Sequence, residues 1–316
     1  MRREVLLQKS LYDQRGLTMV ELMVAITIGL ILTAGIIQIF VNSKQTYRVE
    51  EALSRVQESG RLALEFMAND IRMAGYWGCQ PDASNVSNDL NPGSGYIDFT
   101  AGSVSGTEGG SGASDSLTLR GADGSSGIVP QPNGGSGNYS PLPSASLKVN
   151  LPNTLNDGDI LLISDCIGGD IFQISSGNPS NTGTVDHNTG SGSPGNATNL
   201  SKVYRGDASI FYVREIIYTI ATGSDGQPAL WRSLNGTNQE IVDDVSDLQV
   251  LYGEDMDNDK SVDRYVTASN VSNFNNVYSV RVQLTVQTGD ANTSVTAGTR
   301  ISQNFSATVA IRNKVL

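Results

Sequence analysis

The sequence predicts an α+β fold, a long N-terminal α-helix packed on a head built around antiparallel β-sheet. Three observations predict it: an uncharged apolar run near the N-terminus, a helix-period stripe directly after it, and short alternating strand-like runs beyond, separated by Gly- and Ser-rich stretches. The 316 residues suffice for one large domain or two small ones plus an anchor. With 38% hydrophobic residues, 6% aromatics and 34 glycines, the core is expected to be modest beside its loops. The net charge of −11 gives no basic footprint for phosphates, so no nucleic acid is expected on the head.

Residues 1–16 are polar and carry Arg2, Arg3, Lys9 and Arg15 against Glu4 and Asp13, a basic flank expected to stay cytoplasmic. Residues 22–41 hold no charge, and about 20 residues of helix cross the hydrocarbon core of a membrane. A secretory signal peptide shares these features, with a small-residue cut such as one after Ala34. Against it, the apolar run continues through Ile36, Ile37, Ile39 and Phe40, and Glu21 sits where the run begins. A charged side chain at the centre of a membrane helix costs about 2.5–3.5 kcal/mol, so Glu21 is expected to have a partner that a plain anchor would not need.

Beyond Val41 the sequence turns polar but keeps a helical period through Val49, Leu53, Val56, Gly60, Ala63, Met67, Ile71 and Ala74. Glu50, Glu51, Arg55, Glu58, Arg61, Glu65 and Arg72 fall mainly off this stripe and read as a solvated face. No Pro interrupts residues 17–75, Gly75 and Gly78 supply a stop, and Gly29, Gly35 and Gly60 are expected to soften the helix.

Strand-like runs follow at residues 116–120, 159–164, 171–174, 209–221, 248–252, 277–287 and 305–312. Residues 280–287 alternate strictly in polarity, which suits an antiparallel sheet with one covered face. The stretches 82–114, 121–143 and 175–201 are Gly-, Ser-, Asn-, Thr- and Pro-rich and are expected as surface loops. Cys79 and Cys166 have no CxxC or CxxH spacing, which leaves either a bridge or two buried free thiols. A bridge would close a loop of roughly 87 residues, worth about 4 kcal/mol on the chain-entropy account.

The densest set of metal-ligand residues is Asp255, Asp257, Asp259 and Asp263 with Ser261, at loop positions 1, 3, 5, 9 and 7 of an EF-hand-like calcium loop. Alternating short acids aim oxygens at a hard cation, and Ser261 would add its carbonyl. The loop departs from that pattern at position 6, Lys260 in place of Gly, and at position 12, Val266 in place of Glu. Catalytic material is sparse. His187 is the only histidine and lies in a Gly/Asn/Thr stretch, which leaves little for a Ser-His-Asp triad. The run from Gly190 to Gly195 satisfies GxGxxG but follows no strand, and reads as a linker. Trp77 and Trp231 read as core, and no catalytic residue is assigned.

Arg15-Gly16-Leu17-Thr18-Met19-Val20-Glu21-Leu22 resembles the prepilin processing site of type IV pilins and type II secretion pseudopilins. The resemblance implies cleavage after Gly16 by a prepilin peptidase, N-methylation of Leu17 where Phe is usual, and an assembly role for Glu21. Loss of the leader, with its four positive and two negative side chains, takes the charge from −11 to −13. The head resembles PilW-type minor pilins in five places: Ala74-Gly75-Tyr76-Trp77-Gly78-Cys79, the strand ending at Cys166 with Asp170-Ile171-Phe172-Gln173, Leu230-Trp231-Arg232, residues 245–253, and the closing residues 307–313. Matching cysteines in two of these segments imply a Cys79–Cys166 bridge.

The implied layout is a leader at 1–16, a transmembrane and filament-core helix at 17–44, an amphipathic second half at 45–76, and a β-rich head at 77–316. The implied protein is a minor pilin that helps to initiate type IV pilus assembly and sits at or near the tip, and not an enzyme. Its implied partners are other minor pilins, the major pilin, a tip adhesin, the inner-membrane assembly platform and the peptidase. It would be held single-pass in the inner membrane with a periplasmic head before reaching the cell surface, with structural Ca²⁺ in the Asp loop. A minor pseudopilin of a type II secretion system or a membrane-anchored calcium-dependent adhesin are the alternatives.

Overall fold

The computed structural model describes residues 16–80, 83–99, 102–124, 126–133, 137–289 and 299–315. The leader residues 1–15, with their basic flank, lie outside them. By internal contacts the chain divides into two compact units, Met1–Ala52 and Leu53–Leu316.

Helix α1 runs Met19–Met73, so no break in secondary structure separates the expected segments 17–44 and 45–76. In the first unit its apolar side chains from Met19 to Val41 are exposed, including Ile26, Ile31, Ile39 and Phe40. In the second unit the predicted stripe is buried at Val56, Gly60, Ala63, Met67 and Ile71. Full burial of a large apolar side chain is worth about 1.5–3 kcal/mol, so this stripe anchors the helix. Gly60 differs from expectation. A Cβ there would meet the Phe305 ring at 2.4 Å, so glycine serves close approach at this point, whereas Gly29 and Gly35 face open space. The helix stops where Gly75 turns to φ +73°, a conformation that glycine adopts without steric cost.

The head strands run in chain order β1 (Val86–Asn88), β2 (Val104–Thr107), β3 (Ser116–Ala122), β4 (Pro130–Gln131), β5 (Leu147–Val149), β6 (Ile160–Ser164), β7 (Gly169–Gln173) and β8 (Thr184–Val185). There follow β9 (Ser209–Thr222), β10 (Pro228–Leu234), β11 (Thr237–Asp243), β12 (Val245–Glu254), β13 (Arg264–Val266), β14 (Val277–Gln287) and β15 (Ser302–Ala310). An eight-stranded sheet is organised on β9. The first residues of β9 pair with β6, and the remainder is flanked by β3 on one edge and β10 on the other. A second sheet has the order β13-β12-β14-β15, and a small third one β4-β5-β8. The alternation in β14 is reproduced: Val280, Val282, Leu284 and Val286 are buried and Arg281 and Gln283 exposed.

The Ile-Leu-Leu-Ile run of β6 is apolar without alternation because both of its faces are covered. Leu161 and Ile163 pack with Phe172, Val185 and Tyr204, while Leu162 packs on the other face with Trp77, Ile171 and Phe211. The main core joins the α1 stripe to β3, β9, β10, β12 and β14. The hairpin β10–β11 turns at Asn235 and Gly236, with φ +48° and +83°, the conformation that favours Asn-Gly. The stretches expected as surface loops contain β1, β2, β4 and β8 and bury Leu90, Ile97, Phe99, His187 and Asn196, so much of them is interior.

Candidate functional site

The start of α1 is the first candidate. Gly16 has no atom within 4 Å of where a Cβ would stand, and Leu17 is 78% exposed, so the Gly16–Leu17 bond is open on its own chain. Glu21 Oε2 accepts the Thr18 N–H at 3.0 Å and the Thr18 hydroxyl at 2.9 Å, and Thr18 Oγ1 accepts the Glu21 N–H at 3.3 Å. This is a reciprocal capping box, which satisfies donors that a helix start leaves open. Thr-x-x-Glu is its sequence signature. A reading of Glu21 as a membrane carboxylate that needs a partner passes it over, and with it the role of Thr18.

Within the apolar segment the polar side chains bond to their own helix. Thr27 Oγ1 donates to the Met23 or Val24 carbonyl at 3.0 and 2.9 Å, and Thr33 Oγ1 to the Gly29 carbonyl at 2.7 Å. No hydroxyl there needs water. By length and composition this helix can cross a membrane.

In the second unit, Cys79 and Cys166 form a disulfide with Cα atoms 4.8 Å apart, inside the usual range. It joins the residues after α1 to the β6–β7 turn. Around it, Gln80 Nε2 donates to the Asp165 carbonyl at 2.6 Å and Ser164 Oγ to the Trp77 carbonyl at 3.1 Å. Burial opposes the charge of Asp165, but Lys202 Nζ at 2.6 Å and the N–H groups of Ile167 and Gly168 outweigh it and hold its pKa below the ordinary value.

A second tie joins α1 to the sheet. Asp70 Oδ2 accepts Tyr218 Oη–H at 2.6 Å and Arg232 Nε–H at 2.7 Å. Both partners stand on β strands that α1 covers, so a largely buried, hydrogen-bonded ion pair fixes the helix on β9 and β10.

The Asp loop connects β12 to β13 and brings together Asp255, Asp257 and Asp263, whose nearest carboxylate oxygens all lie within 4.8 Å of one another. Asp259 is not one of these three, and Ser261 donates its N–H to Asp259 Oδ1 at 2.7 Å. Asp255, 1% exposed, accepts the N–H groups of Asp257, Asn258 and Lys260 at 3.1, 2.7 and 2.8 Å. Lys260 takes φ +67°, the left-handed conformation that a glycine at position 6 would supply, so the backbone makes the sharp turn despite the side chain. The Asp259 N–H favours the charged form of Asp257, but the charges of Asp259, Asp263 and Asp255 together with slight desolvation outweigh it and raise its pKa. Converging, mutually repelling carboxylates on a preformed turn fit a hard oxygen-binding cation.

His187 is 3% exposed, with Nε2 3.1 Å from the Ala145 carbonyl and its ring edge-on to Phe172. Burial lowers its pKa, which favours the neutral ring. Trp77 is fully buried beside Phe99, as a core residue.

Residues 217–313 match the family model of the type IV pilus-assembly protein W, and residues 11–37 match the prokaryotic N-terminal methylation motif. No curated protein and no solved structure matches the chain. The first match runs from within β9 through β15, which includes the Asp loop, and the second spans Gly16, Leu17 and Glu21.

Proposed function

We propose that this chain, a PilW-type type IV pilin, is a minor subunit that helps to start pilus assembly and remains at or near the filament tip. The observation that carries the proposal is the placement of the methylation motif. It covers Gly16, Leu17 and Glu21 at the start of a helix whose apolar surface is exposed from Met19 to Val41. Such a surface needs lipid before assembly and other helices after it. The peptidase would cut after Gly16 and N-methylate Leu17. The chain would wait in the inner membrane with its head in the periplasm, beside the assembly platform. Glu21 would then exchange its Thr18 donors for the Leu17 amine of a neighbouring subunit, a charge-assisted contact that lipid cannot offer. Other minor pilins, the major pilin and a tip adhesin are the partners of this role. A pseudopilin of type II secretion shares the motif, but the head match to a pilus-assembly family favours the pilus.

Mass spectrometry of the purified protein is expected to find N-methyl-Leu17 as the first residue. A chain beginning after Ala34, or one retaining Met1, overturns the reading. Glu21→Ala is expected to be processed normally and to reach filaments at least about tenfold less, the weight of a charge-assisted hydrogen bond. Undiminished recovery in pili removes Glu21 from assembly.

We also propose a structural calcium ion in the loop 255–263, held by Asp255, Asp257 and Asp263. The ion would supply charge neutralisation where three carboxylates repel one another. Calorimetric titration of the detergent-solubilised chain is expected to show calcium binding that Asp257→Asn weakens. Equal binding by that variant and the parent sinks the assignment.

A further inference from the structure

A second pair of carboxylates lies far from the Asp loop in sequence and is more deeply buried. Asp89 follows β1 and Asp170 stands on β7, and they are 3% and 0% exposed. The two strands run parallel with Ser87 opposite Asp170. Partners in register share a face, so Ser87, Asp170 and Asp89 all project to the same side. Ser87 Oγ donates to Asp89 Oδ1 at 2.8 Å, which draws that carboxylate back along β1 toward Asp170.

One segment then covers both. Thr198 Oγ1 donates to Asp89 Oδ1 at 2.8 Å. Three residues on, the Ser201 N–H and hydroxyl donate to Asp170 Oδ2 at 3.0 and 2.8 Å, and the Tyr204 hydroxyl does so at 2.7 Å. Each carboxylate is thus oriented through one oxygen. The other oxygen of each, Asp89 Oδ2 and Asp170 Oδ1, is buried with no hydrogen-bond partner among the described residues.

Two such oxygens are costly, because a buried charge must be paired or neutralised. Among the described residues no Lys or Arg reaches either carboxylate. The nearby ammonium, Lys202, is engaged by Asp165 at 2.6 Å and lies over the Tyr204 ring. Burial, opposed by the Ser87 and Thr198 hydroxyls and reinforced by the Asp170 charge, pushes the Asp89 pKa up to about 6. Among the described residues the donors bonded to the pair are hydroxyls and one backbone N–H, while the neighbouring His187 ring, which feels the Asp170 charge, lies with Nε2 against the Ala145 carbonyl.

We propose that Asp89 Oδ2 and Asp170 Oδ1 together hold one calcium ion inside the head, at a site separate from the loop 255–263. Two carboxylates and a shell of hydroxyls suit a cation that takes six to eight oxygens in adaptable geometry. The ion clamps β1 and the 198–204 segment to β7, beside the turn that carries Cys166.

The test uses the full chain in detergent with the Asp loop disabled by Asp257→Asn and Asp263→Asn. Tb³⁺, a luminescent calcium substitute, is expected to bind one per chain, to emit under tyrosine excitation because Tyr204 touches Asp170, and to be displaced by Ca²⁺. Adding Asp170→Asn is expected to weaken binding at least about tenfold, as loss of a direct ligand should not cost less than loss of an outer-shell partner. If that variant does not fold, Tyr204→Phe serves instead: emission falls while the rise in melting temperature with Ca²⁺ persists. Absence of both Tb³⁺ emission and a Ca²⁺-dependent rise in the loop-disabled chain overturns the proposal. In that case a melting temperature in EDTA that climbs as pH falls from 7 to 5 would identify a proton as the neutralising charge.

Discussion

Two stretches of one helix solve the same problem in opposite ways. Between Met19 and Val41 α1 is apolar on all sides and exposed on all sides, whereas from Val56 to Ile71 it is apolar on one stripe and that stripe is buried. A stripe specifies one cover, here strands β3, β9, β10, β12 and β14. An all-round apolar surface specifies no direction, so it suits lipid first and neighbouring helices later. The first stretch therefore contributes to anchoring and assembly, the second to the stability of the head.

Substitutions in the two stretches should separate these contributions. Met67 is fully buried in the main core, and Met67→Ala is expected to destabilise the head by about 2–5 kcal/mol. Urea unfolding of the detergent-solubilised chain, read by fluorescence of Trp77 and Trp231, measures this because both reporters lie in the head. Ile31 is 72% exposed in the other stretch, and Ile31→Ala, which removes about as much apolar volume as Met67→Ala, is expected to move the same transition by less than about 0.5 kcal/mol. Comparable shifts from the two variants would break the division of labour.

The helix, its stripe and the strand β14 could be read directly because each repeats its signal over several turns or pleats. The strand-like runs of the sequence coincide with β3, β6, β7, β9, β12, β14 and β15 to within a few residues. The hairpin β10–β11 was equally open to reading through Asn235-Gly236 but falls outside those runs. The interior parts of the Gly- and Ser-rich stretches were not legible, for a physical reason. Single apolar residues such as Leu90, Phe99 and Leu200 have no period, and side chains do the pairing that strands do elsewhere. Asn196 shows this: its Oδ1 accepts the Gln173 N–H and its Nδ2 donates to the Gln173 carbonyl, both at 2.7 Å, so one amide side chain imitates a ladder partner for β7. Of the candidate sites, the Asp loop is local and its spacing announces it. Asp89 and Asp170 are far apart in the chain and meet only because β1 pairs with β7.

The smallest expected effect sharpens the role of Glu21. Its carboxylate caps α1 through Thr18 and, in the proposed assembly step, must also reach an amine of a neighbour. Thr18→Ala removes the hydroxyl that bonds Glu21 and the cap itself, a loss of about 0.5–2 kcal/mol that stays within the first turn. Amide exchange in detergent is expected to quicken at residues 19–22 and to stay unchanged in the head. The carboxylate keeps the residue-18 N–H, loses only the hydroxyl and stays in place, so filaments should still take up Thr18→Ala where they reject Glu21→Ala. Rejection of both to the same degree would mean that the cap, and with it the shape of the helix start, is what assembly requires of Glu21.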